Sequence, residues 1–210
     1  MFKGYIFDWD NTLIDSLAVI KGAVSDTLDA FEFTGDRDKI MLTAGVSLSL
    51  REGFPIVFGD KWQDAGAYFY QVYSNNIKYL EKKKGYDAIV KYIRDNNIPC
   101  AVNSNKKQEL LELELKYFDS SDVFDMCVGA GVMKKDKPSP QGANAIMQIF
   151  AEKYNVQNDV CYVGDSATDI KCGRNTGIVT VLIGDDADAI AQNPDYHYDD
   201  LNTFLDVVCT

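Results

Sequence analysis

The chain of 210 residues is 46% hydrophobic, which is enough to bury one good core and a smaller satellite domain. Its formal net charge of −11 argues against nucleic acid and anionic membrane surfaces as partners, because both are bound through patches of Lys and Arg. The five cysteines include no C-x-x-C pair, so neither disulfides nor a thiolate zinc site is expected. The sequence has no apolar run of about 18 residues and no signal-peptide pattern. It therefore predicts a cytoplasmic protein without a membrane span.

Short apolar runs rich in β-branched and aromatic residues recur along the chain, and most are bounded by Gly, Asp or Asn. Such runs are typical of buried parallel strands. Helix-like stretches lie between them, and this alternation predicts an α/β fold with a doubly wound parallel sheet. The predicted strands cover 5–7, 98–102, 126–128, 160–163, 178–183 and, at the sheet edge, 196–198; the predicted helices cover 86–96, 106–117, 141–154, 168–175 and a segment from 200 onwards.

The segment from 16 to 81 interrupts this alternation. It contains helical patterns at 17–31 and 61–80, and its only strand-like run, 56–58, is ambiguous. A connection between a strand and a helix is normally only a few residues long, so about 65 residues of mostly helical sequence predict a separate unit. We therefore expect a core formed by 1–15 and 82–210, with a small α-helical cap domain, 16–81, inserted into it.

Asp8 and Asp10 form a D-x-D pair directly after the first predicted strand. The pair alone carries little weight, because D-x-D occurs three times in this acidic chain and about three matches are expected by chance. Its position is more informative, since ligands of open α/β sheets bind at the carboxyl ends of the strands. Asp165 and Asp169 follow another predicted strand in the same way. Two carboxylate clusters at one sheet edge favour a hard cation such as Mg²⁺.

Two more predicted strand ends carry groups suited to phosphate. Ser104 and Asn105 follow the second core strand and are predicted to open a helix at Lys106, where free backbone N–H groups would bind an anion. An ordinary N-cap is an equally good interpretation of Ser104. Lys137 precedes another predicted helix, where it would neutralise a phosphate; in this lysine-rich stretch a solvated side chain is the alternative.

In this order, the segments resemble the four motifs of the haloacid dehalogenase superfamily. That family has D-x-D-x-T after the first strand, a Ser or Thr after the second, a Lys further on, and G-D-x-x-x-D after the fourth. This chain reads D-W-D-N-T-L-I-D-S, N-S-N, K-K-D-K-P-S-P and V-G-D-S-A-T-D. The inserted segment resembles the helical cap of the phosphoglycolate phosphatase-like branch. One departure is Asn11, where many members have Gly, but Asn tolerates a left-handed backbone.

The resemblance implies a Mg²⁺-dependent phosphatase with an aspartyl-phosphate intermediate. Asp8 would be the nucleophile, and Asp10 would protonate the leaving oxygen and then activate water. Dehalogenases of the superfamily lack this second acid, so halide displacement is not expected. Mg²⁺ would be held by Asp8, Asp165 and the backbone carbonyl of Asp10. Asp169 would be a further acidic partner of the metal. The implied phosphate-binding residues are Thr12, Ser104, Asn105 and Lys137.

Substrate choice is expected to lie in the cap, which must close over the site to exclude water. The stretch 47–53 is the best candidate, and Arg51 within it would meet a substrate carboxylate or a second phosphate. An arginine paired with a surface acid is the alternative interpretation. The tyrosines of the cap are expected to pack inside the cap and between the cap and the core. They are Tyr68, Tyr70, Tyr73 and Tyr79.

Two alternatives to the phosphatase stay open. A phosphomutase of the β-phosphoglucomutase type uses the same carboxylates and a helical cap, but returns the phosphoryl group to a sugar. A phosphoacceptor or regulatory binding protein would hold Mg²⁺ without turnover, although such a protein would usually lack a motif residue and none is missing here. The expected partner is a small-molecule phosphate ester, of the phosphoglycolate or sugar phosphate class, bound by a monomer or homodimer.

Overall fold

A computed structural model describes residues 2–38, 40 and 48–208. Six strands form one parallel sheet: β1 (Gly4–Phe7), β4 (Cys100–Lys107), β5 (Met126–Ala130), β6 (Val160–Gly164), β7 (Val179–Ile183) and β8 (Tyr196–Tyr198). Their spatial order is β5-β4-β1-β6-β7-β8. The first strand therefore lies in the middle, with β4 and β6 on its two sides.

Helices cover both faces of this sheet. Tyr5 and Phe7 of β1 pack in the apolar cluster on one face, and Ile6 packs in the cluster on the other, as the alternation of side chains along a strand requires. The core helices are α4 (Tyr86–Asn96), α5 (Gln108–Tyr117), α6 (Gln141–Tyr154), α7 (Ala167–Thr176), α8 (Ala187–Ile190) and α9 (Leu201–Val208). Helices α4, α5 and α9 pack on the Tyr5 face, and α6 and α7 pack on the Ile6 face. The predicted doubly wound α/β fold is confirmed.

The segment after β1 forms a short antiparallel ribbon and a helical insertion. The ribbon pairs β2 (Ile14–Asp15) with β3 (Glu81–Lys82). Between its strands the chain forms α1 (Leu17–Ala30), α2 (Leu50–Phe58) and α3 (Trp62–Asn76), with 3₁₀ turns at Gly59–Lys61 and Ile77–Tyr79. The ambiguous run 56–58 therefore lies in a helix. The ribbon coincides with the predicted boundaries near 15 and 82, and the division into two domains stays a prediction.

Aromatic packing joins the inserted helices to one another and to the core. Phe54 of α2 lies 5.8 Å from Phe69 of α3, and Phe69 stacks on Tyr73 at 5.7 Å between ring centroids. All three rings are buried and belong to the same apolar cluster as Tyr5 and Phe7 of the sheet. The expectation that the tyrosines of this segment pack is met by Tyr73, whereas Tyr68 and Tyr79 are exposed.

The helix predicted to begin at Lys106 begins two residues later, at Gln108. Strand β4 continues to Lys107, which still pairs with Ala130 of β5, and its register is irregular after Asn103. Ser104 therefore lies in an irregular strand end rather than at a helix N-cap. The predicted helix start at Lys106 is therefore wrong by two residues, and anion binding at this strand end stays a prediction.

Within the described part of the chain, none of the helices is long and apolar enough to cross a membrane. The four described cysteines, Cys100, Cys127, Cys161 and Cys172, are free thiols. Burial raises the pKa of each of them, so they act as small apolar side chains in the packing.

Candidate active site

The candidate site lies at the carboxyl end of the central strand. Asp8 directly follows β1, and its backbone N–H donates to the carbonyl of Val163 in β6 at 2.8 Å. Lys137 comes from the loop before α6, and its Nζ donates to Asp8 Oδ1 at 2.6 Å and to Asp169 Oδ1 at 2.7 Å. All three side chains are buried. Residues from three separate chain segments thus meet around one ammonium group.

Three carboxylates are close enough to share a cation. Ligand oxygens of Asp8, Asp165 and Asp169 all lie within 4.8 Å of one another, and Lys137 is the ammonium that touches this cluster. Burial raises the pKa of Asp8 to about 7, with repulsion from Asp169 adding to the rise and Lys137 opposing it. Burial and the Asp169 charge also raise the pKa of Asp165. A divalent cation would offset this repulsion, so the donor set fits Mg²⁺.

The members of this cluster are not equivalent as ligands. Asp169 uses Oδ1 for Lys137 and Oδ2 for the backbone N–H and hydroxyl of Ser166, which opens α7 as a capping box. Its oxygens are thus already engaged, which suits a supporting role. Asp165 accepts one bond, from the Thr12 hydroxyl at 2.9 Å. Thr12 therefore orients Asp165 here, and its predicted contact with phosphate stays a prediction.

The end of β4 brings Ser104 and Asn105 to the same place. Ser104 is buried and lines the cavity beside Asp8. The Asn105 side-chain amide pairs with the backbone of Lys137, donating to its carbonyl at 3.1 Å and accepting from its N–H at 2.9 Å. Asn105 therefore holds the loop that presents the Lys137 ammonium. Phosphate binding by these two residues stays a prediction.

Asp10 lines the same cavity as Asp8 and is held by two residues outside the carboxylate cluster. Ser16 donates its hydroxyl to Asp10 Oδ1 at 2.6 Å, and Lys106 Nζ lies 2.8 Å from the same oxygen. The side chain of Asp10 is not in the carboxylate cluster, so only its backbone carbonyl would serve as a metal ligand, as the resemblance implies. Asn11, the next residue, has a left-handed backbone with φ of 58°, as its position in the motif predicts.

The sequence analysis missed a second buried charged group at this site. Lys106 contacts Asp10, and it also donates to Glu114 of α5 and to the Tyr73 hydroxyl of α3, each at 2.6 Å. Glu114 accepts a further bond from the indole N–H of Trp9 at 2.8 Å. One signal was available in the sequence, because Glu114 occupies an apolar position of the α5 pattern, between buried leucines.

Arg51 contacts the core and not the cavity beside Asp8. Its guanidinium donates to both oxygens of Asp136, at 2.6 Å and 2.8 Å, and to the carbonyls of Met133 and Lys134. Asp136 is buried and directly precedes Lys137. The alternative interpretation is met in part, because Arg51 pairs with an acid, but that acid is buried and not on the surface; recognition of a substrate by Arg51 stays a prediction. Residue 47 of the candidate stretch 47–53 lies outside the described residues.

The inserted helices and the core together line a cavity of about 70 Å³. Asp8, Asp10, Ser104 and Lys137 line its core side. Its cap side is apolar and is lined by Ile20, Leu50, Phe69 and Tyr73. The charged groups of the motifs therefore face a cavity whose other side is formed by apolar side chains.

Comparison with known proteins agrees with this geometry. A phosphoglycolate phosphatase of Aquifex aeolicus is 28% identical over 180 residues, which cover 84% of this chain and 82% of that protein. Pyrophosphatase PpaX of Halalkalibacterium halodurans is 24% identical and covers 97% of this chain and 95% of its own. Among solved structures, one described as a predicted phosphoglycolate phosphatase from Haemophilus somnus superposes with a TM-score of 0.82 at 18% identity, covering 99% and 98% of the two chains.

The family model for "Haloacid dehalogenase-like hydrolase" matches residues 5–183. The matched span runs from β1 to the end of β7 and includes every motif residue of the site. The resemblance read from the four motifs is confirmed, and the chain belongs to the haloacid dehalogenase-like hydrolase family of enzymes.

Proposed function

We propose that this enzyme is a Mg²⁺-dependent phosphatase of small phosphate monoesters that works through a phosphorylated Asp8. The observation that carries the proposal is the contact of Lys137 Nζ with Asp8 Oδ1 at 2.6 Å inside the cluster of Asp8, Asp165 and Asp169. A buried carboxylate held by an ammonium beside other carboxylates suits attack on a phosphorus atom whose negative oxygens need compensating charge.

In the first step, an oxygen of Asp8 forms a bond to phosphorus while the bond from phosphorus to the ester oxygen breaks. The electron pair leaves with the ester oxygen, which takes a proton from Asp10. In the second step, Asp10 removes a proton from water, and the water oxygen displaces Asp8 from phosphorus. The products are an alcohol and inorganic phosphate, and both carboxyl groups return to their starting state.

The placement of Asp10 supports its role as acid and base. It lies two residues after Asp8 at the same strand end and lines the same cavity. Among the described residues, its contacts with Ser16 and Lys106 both end on Oδ1. Oδ2 is therefore the oxygen left for proton transfer to the leaving group.

Mg²⁺ is the metal that the donor set favours, because all candidate ligands are oxygens and histidine is absent from the cluster. Asp8, Asp165 and the carbonyl of Asp10 would hold it, and Asp169 would support it through Ser166 and Lys137. When bound, the metal would supply positive charge to the phosphate oxygens. Lys137 provides a second positive charge at Asp8 Oδ1.

The substrate is proposed to be a small phosphate ester of the phosphoglycolate or sugar phosphate class. Relatives named phosphoglycolate phosphatase and pyrophosphatase share most of the chain's length, and the cavity beside Asp8 has charged groups on its core side and apolar side chains on its other side. A sugar phosphomutase would use the same core carboxylates, so it stays an alternative that a substrate screen decides. The non-catalytic interpretation is not supported, since the catalytic motifs are intact in a family of hydrolases.

The test is hydrolysis of p-nitrophenyl phosphate with Mg²⁺, with EDTA, and by the Asp8→Asn variant. We expect activity that needs the metal and falls at least 10³-fold in Asp8→Asn, since the nucleophile is removed. Asp188→Asn is the matched control, because Asp188 belongs to another D-x-D pair and is exposed. Turnover that survives both EDTA and Asp8→Asn would refute the proposal. A wild-type protein active only with a sugar bisphosphate present would favour the mutase.

A further inference from the structure

Lys106 is a buried lysine at the active-site cavity for which the proposed reaction has no direct use. Its ammonium makes three short contacts, to Asp10 Oδ1 at 2.8 Å, Glu114 Oε1 at 2.6 Å and the Tyr73 hydroxyl at 2.6 Å. The contacts with Glu114 and Tyr73 are hydrogen bonds, and the contact with Asp10 is an ion pair. Lys106 is therefore engaged with protein groups although it lines the cavity.

Glu114 is the group that keeps Lys106 in this position. The side chain is fully buried on α5, at a site flanked by the buried Leu110, Leu111 and Leu115. Burial and the neighbouring Asp10 charge raise the pKa of Glu114, and Lys106 opposes the rise. A carboxylate in such a position costs stability unless it is paired. A leucine would fill the site at lower cost, so the carboxylate points to a role beyond packing.

Glu114 holds the catalytic loop at two points. Its Oε1 accepts from Lys106, which contacts Asp10, and its Oε2 accepts from the indole N–H of Trp9, which stands between Asp8 and Asp10 in the chain. Trp9 is fully buried, so the second contact also has a fixed geometry. Glu114 is 104 residues away from Asp10 in the sequence, yet a single ammonium separates their carboxylates.

We propose that Glu114 is a positioning residue, which acts through Lys106 to fix the orientation of Asp10 for proton transfer. The hydroxyl of Tyr73 adds a hydrogen bond to Lys106 from α3 of the inserted helices. The inference rests on the proposed function, because it assigns Glu114 to the step in which Asp10 protonates the ester oxygen. It adds to that function a residue outside all four motifs.

The test compares two esters that differ in their need for an acid. p-Nitrophenolate leaves without protonation. The leaving oxygen of an alkyl phosphate such as glycerol phosphate must instead receive a proton from an acid as its bond to phosphorus breaks. The ratio kcat/KM reports the steps up to formation of the phosphorylated Asp8. A variant that displaces Asp10 should therefore lose activity on the alkyl ester selectively. Damage to the fold would lower both values together.

For Glu114→Gln we expect kcat/KM to fall about 30-fold or more on the alkyl ester and less than about 3-fold on p-nitrophenyl phosphate, since general acid catalysis contributes 10²- to 10⁴-fold. Asp10→Asn should show the same selectivity more strongly. The matched control is Glu112→Gln on the exposed face of α5, which should keep both values within about 2-fold. Equal losses on the two esters, or no loss on either, would overturn the proposal.

A second variant guards against a folding defect in Glu114→Gln. Lys106→Met/Glu114→Gln removes both buried charges together, which is tolerated better than removing one, and it keeps an acceptor for the Trp9 N–H. We expect it to unfold cooperatively and still to show the selective loss on the alkyl ester. If the kcat/KM values of this folded variant on the two esters keep the ratio that the wild type shows, the proposal is overturned. The proposed phosphatase function has its own test, because activity that survives in Asp8→Asn would contradict that function and not the role of Glu114.

Discussion

Lys137 Nζ lies 2.6 Å from Asp8 Oδ1, and only 4% and 8% of the two side chains are exposed. The same ammonium lies 2.7 Å from Asp169, so one positive charge stands between two carboxylates. Removing one partner of a buried ion pair usually costs about 3–5 kcal/mol, because the remaining charge is left without compensation. Lys137 therefore contributes both to the stability of the sheet edge and to the charge that a phosphoryl group would meet there.

Lys137→Met is expected to abolish measurable turnover and to lower the free energy of unfolding at pH 8 by about 3 kcal/mol. The physical reason is that the carboxylates of Asp8 and Asp169 would repel each other without the ammonium between them. Urea unfolding with and without Mg²⁺, together with p-nitrophenyl phosphate hydrolysis, measures both effects. Lys135→Met is the control, since Lys135 is exposed two residues away. Near wild-type hydrolysis by Lys137→Met would show that Asp8 is activated in another way.

The stability of the metal-free protein is expected to fall as the pH rises towards neutrality. Burial raises the pKa of Asp8 from an ordinary value of 3.8 to about 7. Between these values the folded protein keeps a proton that the unfolded chain has lost, so the free energy of unfolding decreases with pH and the loss is complete above about pH 7. At about 1.4 kcal/mol per unit, the effect is a few kcal/mol at most.

Asp8→Asn should remove this pH dependence. Without metal, we expect the variant to be more stable than the wild type at pH 8 and about equally stable at pH 4, as measured by thermal unfolding. Added Mg²⁺ should stabilise the wild type at pH 8 and help the variant much less. Asp60→Asn, at an exposed position of the cap, controls for the general relief of the −11 net charge. An equal gain in both variants would exclude the Asp8 carboxylate as the source.

The positions of the motif residues were predictable because these residues lie at the carboxyl ends of predicted strands. Asp8 comes directly after an apolar run, and Ser104 and Asp165 each follow one with a single residue between. Parallel strands bring their carboxyl ends to one edge of a sheet. The pairing of β1 with β4 and β6 places these three residues next to one another. A local pattern in the sequence was sufficient here, since the sheet topology supplies the rest.

The partners of Lys106 and Arg51 could not be predicted in the same way. The sequence after Lys106 is rich in helix formers, which favoured a helix start there. In the structure Lys106 lies at the end of β4, and its ammonium donates to Tyr73 of the cap, 33 residues away in the sequence. Arg51 finds Asp136, 85 residues away. Both contacts depend on how the inserted helices lie on the core, and no periodicity in the chain encodes that arrangement.

Gly164→Ala is expected to damage the site through packing alone. A Cβ at this position, at the end of β6, would lie 2.3 Å from Cβ of Asp169, so Asp169 would have to move away from Lys137. Overpacking of this kind costs about 1–3 kcal/mol, and we expect hydrolysis to fall at least 10-fold. Gly22→Ala in α1 is the control, because its Cβ would meet no atom within 4 Å. A fully active Gly164→Ala variant would show that Asp169 tolerates displacement.

Arg51→Ala separates two roles for the cap arginine. The guanidinium joins α2 to the buried Asp136 next to Lys137, so we expect its loss to weaken cap closure for every substrate. Since 35% of the Arg51 side chain is exposed, solvent screens the pair, and its removal should cost about 1 kcal/mol, or roughly 5-fold in kcat/KM. The loss should be the same for p-nitrophenyl phosphate, phosphoglycolate and a sugar phosphate.

Recognition of a substrate carboxylate by Arg51 would give a different pattern. The loss would then be confined to phosphoglycolate, and p-nitrophenyl phosphate would be hydrolysed at the wild-type rate. Arg94→Ala is the matched control, because Arg94 forms an exposed pair with Asp122 on the core surface, at 2.8 Å, and should leave all three substrates unaffected. Asp136→Asn should reproduce the uniform loss if the pair holds the cap, since it removes the same ion pair from the core side.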